Sequence, residues 1–204
     1  MINSELKSAD DQSLVAKYLQ GDIQAFECLF ERHQNATLLL IRQYFPQKEK
    51  AEEIFQEVFM KLIEKIKKFE NQGSFKAWFL TLCRNHCIDR IRYYQRRPEH
   101  VDSSLSKDED STKSFIETTA SHDATAEESS SRKQISKHLQ EALNELPPEQ
   151  KESLLLKESH GLTFEEISTV MNVSINTAKS RVRYALQALR RNLKNKAFFK
   201  ELNS

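Results

Sequence analysis

Glycine, proline and cysteine are scarce in this chain, at 3, 4 and 3 of 204 residues. The three glycines, Gly21, Gly73 and Gly161, stand alone. They leave no dinucleotide-binding G-x-G-x-x-G, no phosphate loop and no nucleophile elbow. A turn-rich β-barrel would also be short of turn residues. Long apolar runs are missing as well: none exceeds four residues, so no segment reads as a membrane span. The start, Met1-Ile2-Asn3-Ser4-Glu5, has neither a basic n-region nor an apolar h-region, and no signal peptide is expected. Three cysteines without a pairing pattern suit a reducing cytoplasm, where the chain is expected to reside. An excess of one charge is absent too, with 31 Lys and Arg against 30 Asp and Glu. Taken whole, that balance argues against a nucleic-acid partner.

What is present is charge in quantity. Charged residues make up 30% and hydrophobic ones 38%, more charge than the usual ~25%, which favours small domains with much surface. The charge is also unevenly placed. Residues 1–97 hold 16 basic and 13 acidic side chains, residues 132–204 hold 13 and 8, and residues 98–131 hold 2 and 9. The middle stretch has 9 Ser and 4 Thr among its 34 residues and little apolar content. It cannot bury enough to offset its ordering entropy, and reads as an acidic flexible linker. A plain tether and a functional acidic segment both fit it.

Both flanks read as helical, and no alternating strand is found. From Glu52 to Phe69, Ile54, Val58, Leu62, Ile66 and Phe69 recur at helical spacing, with Phe55, Phe59 and Ile63 beside them. Leu14, Tyr18 and Leu19 form a short stripe before Gly21. Asp22 can cap a helix bearing Phe26, Leu29 and Phe30, and a separate helix is expected to carry Leu38, Ile41, Tyr44 and Phe45. The segment Phe75–Tyr94 keeps helical spacing through Trp78, Leu82, Ile88 and Ile91.

Toward the C terminus, Leu146-Pro147-Pro148-Glu149 opens a helix with Leu154 and Leu155, and Ser159-His160-Gly161 turns the chain. Thr163-Phe164-Glu165-Glu166 is a capping box for a helix burying Ile167, Val170 and Met171. After Asn172, Ser174 can cap a helix from about Ile175 to Asn195. Its apolar stripe is Ala178, Val182, Ala185, Leu189 and Leu193. Its other side shows Asn176, Lys179, Ser180, Arg183 and Gln187, and between Lys179 and Lys200 there are 8 cations and no acid. This is a helix-turn-helix suited to the major groove, with cations for phosphates or guanine edges.

In the first half, Phe69, Phe75, Trp78 and Phe79 precede Arg84, Asn85, Arg90, Arg92, Tyr93, Tyr94, Arg96 and Arg97. Aromatics interleaved with arginines suit single-stranded nucleic acid, the rings stacking on bases. Core aromatics beside a solvated basic helix would give the same list. Catalysis finds less support: the six histidines are scattered and no nucleophile–base pair stands out. Cys83, His86 and Cys87 could hold a metal in principle, but no fourth ligand is evident. No metal or cofactor is expected.

Four stretches, in order, resemble the extracytoplasmic-function (ECF) group of bacterial RNA polymerase sigma factors. They are Gly21-Asp22-Ile23-Gln24-Ala25-Phe26; Ala51-Glu52-Glu53-Ile54-Phe55-Gln56-Glu57-Val58-Phe59; Phe75-Lys76-Ala77-Trp78-Phe79 with Arg84-Asn85; and Leu146-Pro147-Pro148-Glu149 through Gly161–Ile167 to Thr177–Val182. The resemblance implies an all-α chain of two small helical domains: sigma region 2 over 1–97, the acidic linker over 98–131, and sigma region 4 over 132–204. It implies as partners core RNA polymerase, through the β′ clamp helices and the β flap, and promoter DNA, and it allows an anti-sigma factor. Glu53, Gln56 and Glu57 would face the polymerase. Phe69, Glu70, Asn71, Gln72, Gly73, Ser74, Phe75, Trp78, Arg84 and Asn85 would meet the −10 element. Asn176, Thr177, Lys179, Ser180, Arg181 and Arg183 would meet the −35 element. In such factors the linker threads the polymerase cleft. The alternative is a stand-alone helix-turn-helix regulator with an N-terminal sensing or dimerisation bundle.

Overall fold

The computed structural model describes residues 4–69, 73–96 and 126–195, and among them there are helices and no strands. The chain divides into two units, Met1–Asp108 and Glu109–Ser204.

In the first unit, α1 (Ser4–Ser8) and α2 (Asp11–Leu19) lead to the long α3 (Ile23–Tyr44). Asp10 caps α2 by accepting the Ser13 N–H at 2.8 Å, and Asp22 caps α3 by accepting from Gln24 and Ala25. Gly21 between them has φ +104°, a turn conformation that side chains resist. The two helices expected around Phe30 and Leu38 are one. Glu31–Thr37 is polar but contains no Gly or Pro to stop a helix, and His33 and Thr37 are buried, with Thr37 Oγ1 donating to the His33 carbonyl at 2.8 Å.

After Pro46 come α4 (Lys48–Lys65), a 3₁₀ turn (Ile66–Lys68) and, beyond Gly73, α5 (Phe75–Arg96). Leu14, Leu29, Leu40, Ile41, Ile54, Val58, Leu62, Ile66, Phe79 and Leu80 are essentially closed to solvent. Full burial of each large apolar side chain is worth about 1.5–3 kcal/mol. Two members of the expected stripes, Leu19 and Ile63, lie 45% and 41% exposed and stay out of this core.

The phase of α5 also differs from expectation. Its buried row is Phe75, Phe79, Cys83 and Cys87, with Ala77, Leu80 and His86, while Trp78, Leu82, Ile88 and Ile91 are only half-buried. This helix carries apolar groups on more than one side, so periodicity alone does not choose the inner row. The free thiols of Cys83 and Cys87 behave as small hydrophobes there.

The second unit packs α6 (Ala126–Asn144), α7 (Pro148–Glu158), α8 (Phe164–Met171) and α9 (Ile175–Asn195). Helix α6 starts at Ala126, inside the stretch read as linker over 98–131. The rest of that stretch, 98–125, lies outside the described residues. Leu143, Leu146, Leu154, Val182 and Ala185 form one buried cluster, flanked by Leu139, Phe164 and Leu189. The α8 capping box is complete, with Thr163 Oγ1 accepting the Glu166 N–H at 3.2 Å and Glu166 accepting the Thr163 N–H at 2.8 Å. Asn172 then turns the chain at φ 53°, and Ser174 Oγ accepts the Thr177 N–H at 3.0 Å to start α9. Among the described residues no helix is long and apolar enough to cross a membrane.

Candidate nucleic-acid interface

The loop before α5 joins two aromatic elements. Phe69 packs edge-on to Phe75 with centroids 5.4 Å apart, and lies 5.3 Å from Trp78. Phe75 in turn lies 6.0 Å from Phe79. Glu70, Asn71 and Gln72 fall outside the described residues. Gly73 is exposed at φ +117°, and its carbonyl accepts from Gln12 Nε2 at 3.0 Å. Ser74 is half-buried, and its Oγ accepts the Ala77 N–H at 3.3 Å, closing the first turn of α5.

Within this group the rings divide by depth. Phe75, expected from the sequence to meet the −10 element, is 2% exposed, its ring turned into the core. It is the floor on which Phe69 and Trp78 rest, because its position directly after the loop turns it into the core against His33, 5.4 Å away. Phe69 and Trp78 are half-buried, Arg84 is half-buried two turns along, and Asn85 is exposed.

Farther along α5 the arginines do not form one open track. Arg90 turns toward α4, its Nη2 lying 3.1 Å from Glu53 Oε1 and its Nε 3.3 Å from Glu57 Oε2. Gln56 is exposed. Glu57 Oε2 also lies 2.7 Å from Nε2 of the buried His86. Burial holds that imidazole below its ordinary pKa; the hydrogen bond to Glu57 opposes this, and Lys61 and Arg90 add to it. A neutral ring donating from Nε2 satisfies the carboxylate. Arg90 is thus a cross-helix ion-pair partner, a role that its place in a run of basic residues does not reveal. Arg97 lies outside the described residues.

In the second unit, α9 buries Ala178, Val182 and Ala185 and turns Asn176, Lys179, Arg183 and Gln187 outward. The remaining predicted residues are engaged within the unit. Thr177 is half-buried, with its Oγ1 2.8 Å from Ser174 Oγ, and Ser180 Oγ donates to the Thr177 carbonyl at 3.0 Å. Arg181 is paired with Glu149 in the first turn of α7. It sits one residue from the buried Val182, so its long side chain leans back over the unit.

Two residues were not anticipated. Phe164, at the start of α8, has Lys157 Nζ 5.0 Å and Lys179 Nζ 5.8 Å from its ring centroid. Lys157 also donates to the Leu162 carbonyl at 3.1 Å. One half-buried ring therefore gathers two ammonium groups beside the outward face of α9, an arrangement suited to a phosphate backbone. Nothing in the local pattern of Lys157 distinguishes it from a solvated lysine. Arg183 stacks on Tyr184 at 4.9 Å, and Arg190, Arg191 and Lys194 continue the basic surface around a shallow cleft. Among the described residues no three His, Cys, Asp or Glu side chains converge to hold a metal ion.

Comparison with known proteins adds to this geometry. Residues 29–97 match the Sigma-70 region 2 family, and residues 136–189 match the Sigma-70, region 4 family. The RNA polymerase sigma-H factor of Pseudomonas aeruginosa is 27% identical over 188 residues, covering 90% of this chain and 94% of that protein. The ECF RNA polymerase sigma-E factor of Haemophilus influenzae is 27% identical over 172 residues, covering 84% and 89%. Among solved structures, the sigma factor RpoE in complex with the anti-sigma factor NepR from Bartonella quintana gives a TM-score of 0.60 at 26% identity, covering 84% and 98%. CnrH in complex with the cytosolic domain of CnrY gives 0.63 at 18% identity, covering 92% and 99%, a likeness of fold.

Proposed function

The chain belongs to the ECF group of the sigma-70 family, and from that premise we propose that it directs core RNA polymerase to promoters carrying −35 and −10 elements and assists their opening. It works by binding, without a reaction of its own, on the cytoplasmic polymerase. The observation that carries this reading is the pairing of two matches in order, region 2 over 29–97 and region 4 over 136–189, the second of them containing a capped helix-turn-helix. A stand-alone regulator would leave the region 2 match without a purpose.

In the first unit, α4 meets the β′ clamp helices through the face that bears Glu53, Gln56 and Glu57. The loop ending at Gly73 and Ser74, with Phe69, Trp78, Arg84 and Asn85, takes up a base from the opening −10 element. Pulling a base from the stack costs a few kcal/mol, and a half-buried pair of rings with an exposed amide nearby offsets that by stacking and hydrogen bonding. Asn71 and Gln72, outside the described residues, read the base.

In the second unit, which also meets the β flap, α9 enters the −35 major groove, about 12 Å wide. Asn176, Lys179 and Arg183 face base edges and phosphates. Lys157 and Phe164 support Lys179 on the flanking backbone, and Arg181 holds α9 against α7. An anti-sigma factor is a further partner, supported by the likeness to RpoE in its complex with NepR.

The test is transcription by purified core polymerase with this protein on a promoter pool. Protein-dependent initiation from sites sharing −35 and −10 sequences is expected. Failure to bind core polymerase in the absence of DNA overturns the reading.

A further inference from the structure

Arg90 joins the acidic face of α4 to an aromatic pair on its own helix. Its guanidinium donates to the Tyr94 hydroxyl at 2.6 Å and lies 5.3 and 5.0 Å from the ring centroids of Tyr93 and Tyr94. Lys50 Nζ joins the same group, 2.6 Å from Glu53 Oε2 and 4.4 Å from the Tyr94 ring.

This network leaves the two carboxylates unequal. Glu53 has Oε1 on Arg90 and Oε2 on Lys50, so both its oxygens are engaged. Glu57 Oε2 shares a hydrogen bond with His86 Nε2 and lies 3.3 Å from Arg90 Nε, an ion pair without a hydrogen bond. Its Oε1 accepts no hydrogen bond among the described residues, and its side chain is 33% exposed.

We propose that Arg90, together with His86, is a positioning residue for polymerase binding, pinning Glu57 by Oε2 so that Oε1 is held outward for a cationic donor of the polymerase, while Glu53 serves as the counter-ion of Arg90. This rests on the assignment of the α4 face to core polymerase. A long side chain ordered before the encounter loses less freedom when the interface forms. The aromatic pair supports the same geometry, since stacking and the Tyr94 hydroxyl restrict the guanidinium to one plane.

The test is a double-mutant cycle with the full-length chain and purified core polymerase, read as equilibrium affinity at several salt concentrations. Glu57→Gln is expected to weaken binding roughly tenfold, the scale of one charge-assisted hydrogen bond. Arg90→Gln weakens it by a similar factor in the native background and has no further effect in the E57Q background. Glu53→Gln has a smaller effect than Glu57→Gln. A purely structural Arg90 would instead cost affinity equally in both backgrounds, and that additivity overturns the inference, as does an unchanged affinity in Arg90→Gln. If Arg90→Gln loses its helical circular dichroism, Tyr94→Phe replaces it in the cycle. It removes only the hydroxyl that orients the guanidinium, and roughly a twofold loss confined to the native background is expected. No loss, or an additive one, overturns the inference. Unchanged affinity in Glu57→Gln overturns the polymerase face itself and the inference with it, whereas a loss there with none from Arg90→Gln overturns the inference alone.

Discussion

Asp11 and His33 are joined through Oδ2 and Nε2 at 2.8 Å, tying the first turn of α2 to the middle of α3. The other oxygen of Asp11 takes Arg32 at 2.6 Å, and Arg32 also donates to the carbonyls of Lys7 and Ala9. One carboxylate thereby draws α1 and α2 onto the polar stretch where the sequence suggests a break in α3. The adjacent Gln12 reaches the Gly73 carbonyl, so the same corner supports the loop before α5.

Asp11→Asn is expected to destabilise the first unit by about 1–3 kcal/mol, since two charge-assisted hydrogen bonds lose their acceptor charge. Burial alone would raise the Asp11 pKa, but the hydrogen bonds and charges of His33 and Arg32 outweigh it and leave the group below 3.8. Its contribution is therefore complete above that value and is lost as pH falls through the lower folded-state pKa. Urea unfolding followed along an acid series should show less acid sensitivity in Asp11→Asn. An identical acid limb in both proteins would count against this pair.

His86 predicts a second dependence at milder pH. Its pKa is held below 6.5, mainly by burial, so the unfolded chain binds the proton more readily than the folded one. Stability from the neutral ring is present above about 6.5 and is lost as pH falls through the folded-state value. His86→Gln should flatten the change in Tm across that window. An unchanged slope would mean that another group carries it.

Phe75 and Trp78 separate folding from promoter opening. Phe75→Ala empties a core position and should cost about 3–5 kcal/mol of stability, with all activities falling together. Trp78→Ala should cost less stability and reduce permanganate reactivity of the −10 thymines more than it reduces polymerase binding. Equal losses of opening and binding would make Trp78 a packing residue alone.

On α9, Lys179→Ala and Arg183→Ala should each lower the salt slope of −35 duplex binding by about one unit. Lys157→Ala should do the same if the Phe164 ring gathers both lysines for phosphate. Arg181→Ala should leave the slope nearly unchanged and lower the thermal stability of the second unit, because its partner is Glu149. A full unit of slope lost from Arg181→Ala would transfer it to the DNA-facing set.

Local chemistry was legible from the sequence alone. Asp22, Thr163 with Glu166, and Ser174 mark helix starts through hydrogen bonds spanning two or three residues. The α9 stripe of Ala178, Val182 and Ala185 is read directly because the other side of that helix is strongly polar. The opposed charges of the flanks and the middle stretch, hidden in the whole-chain balance, are likewise a property of the sequence.

Only the tertiary structure decided which rows and partners were chosen. Helix α5 offers several apolar rows, and the packing of α3 and α4 selected Phe75, Phe79, Cys83 and Cys87. The same packing sent Phe75 inward and left Trp78 at the margin. Arg90 and Arg181 look like their basic neighbours in sequence, yet Glu53, Glu57 and Glu149 claim them across distances of 37, 33 and 32 residues. Periodicity and capping act within a few residues. A long cationic side chain is committed by whichever carboxylate the fold brings within reach, and that is settled only when the helices pack.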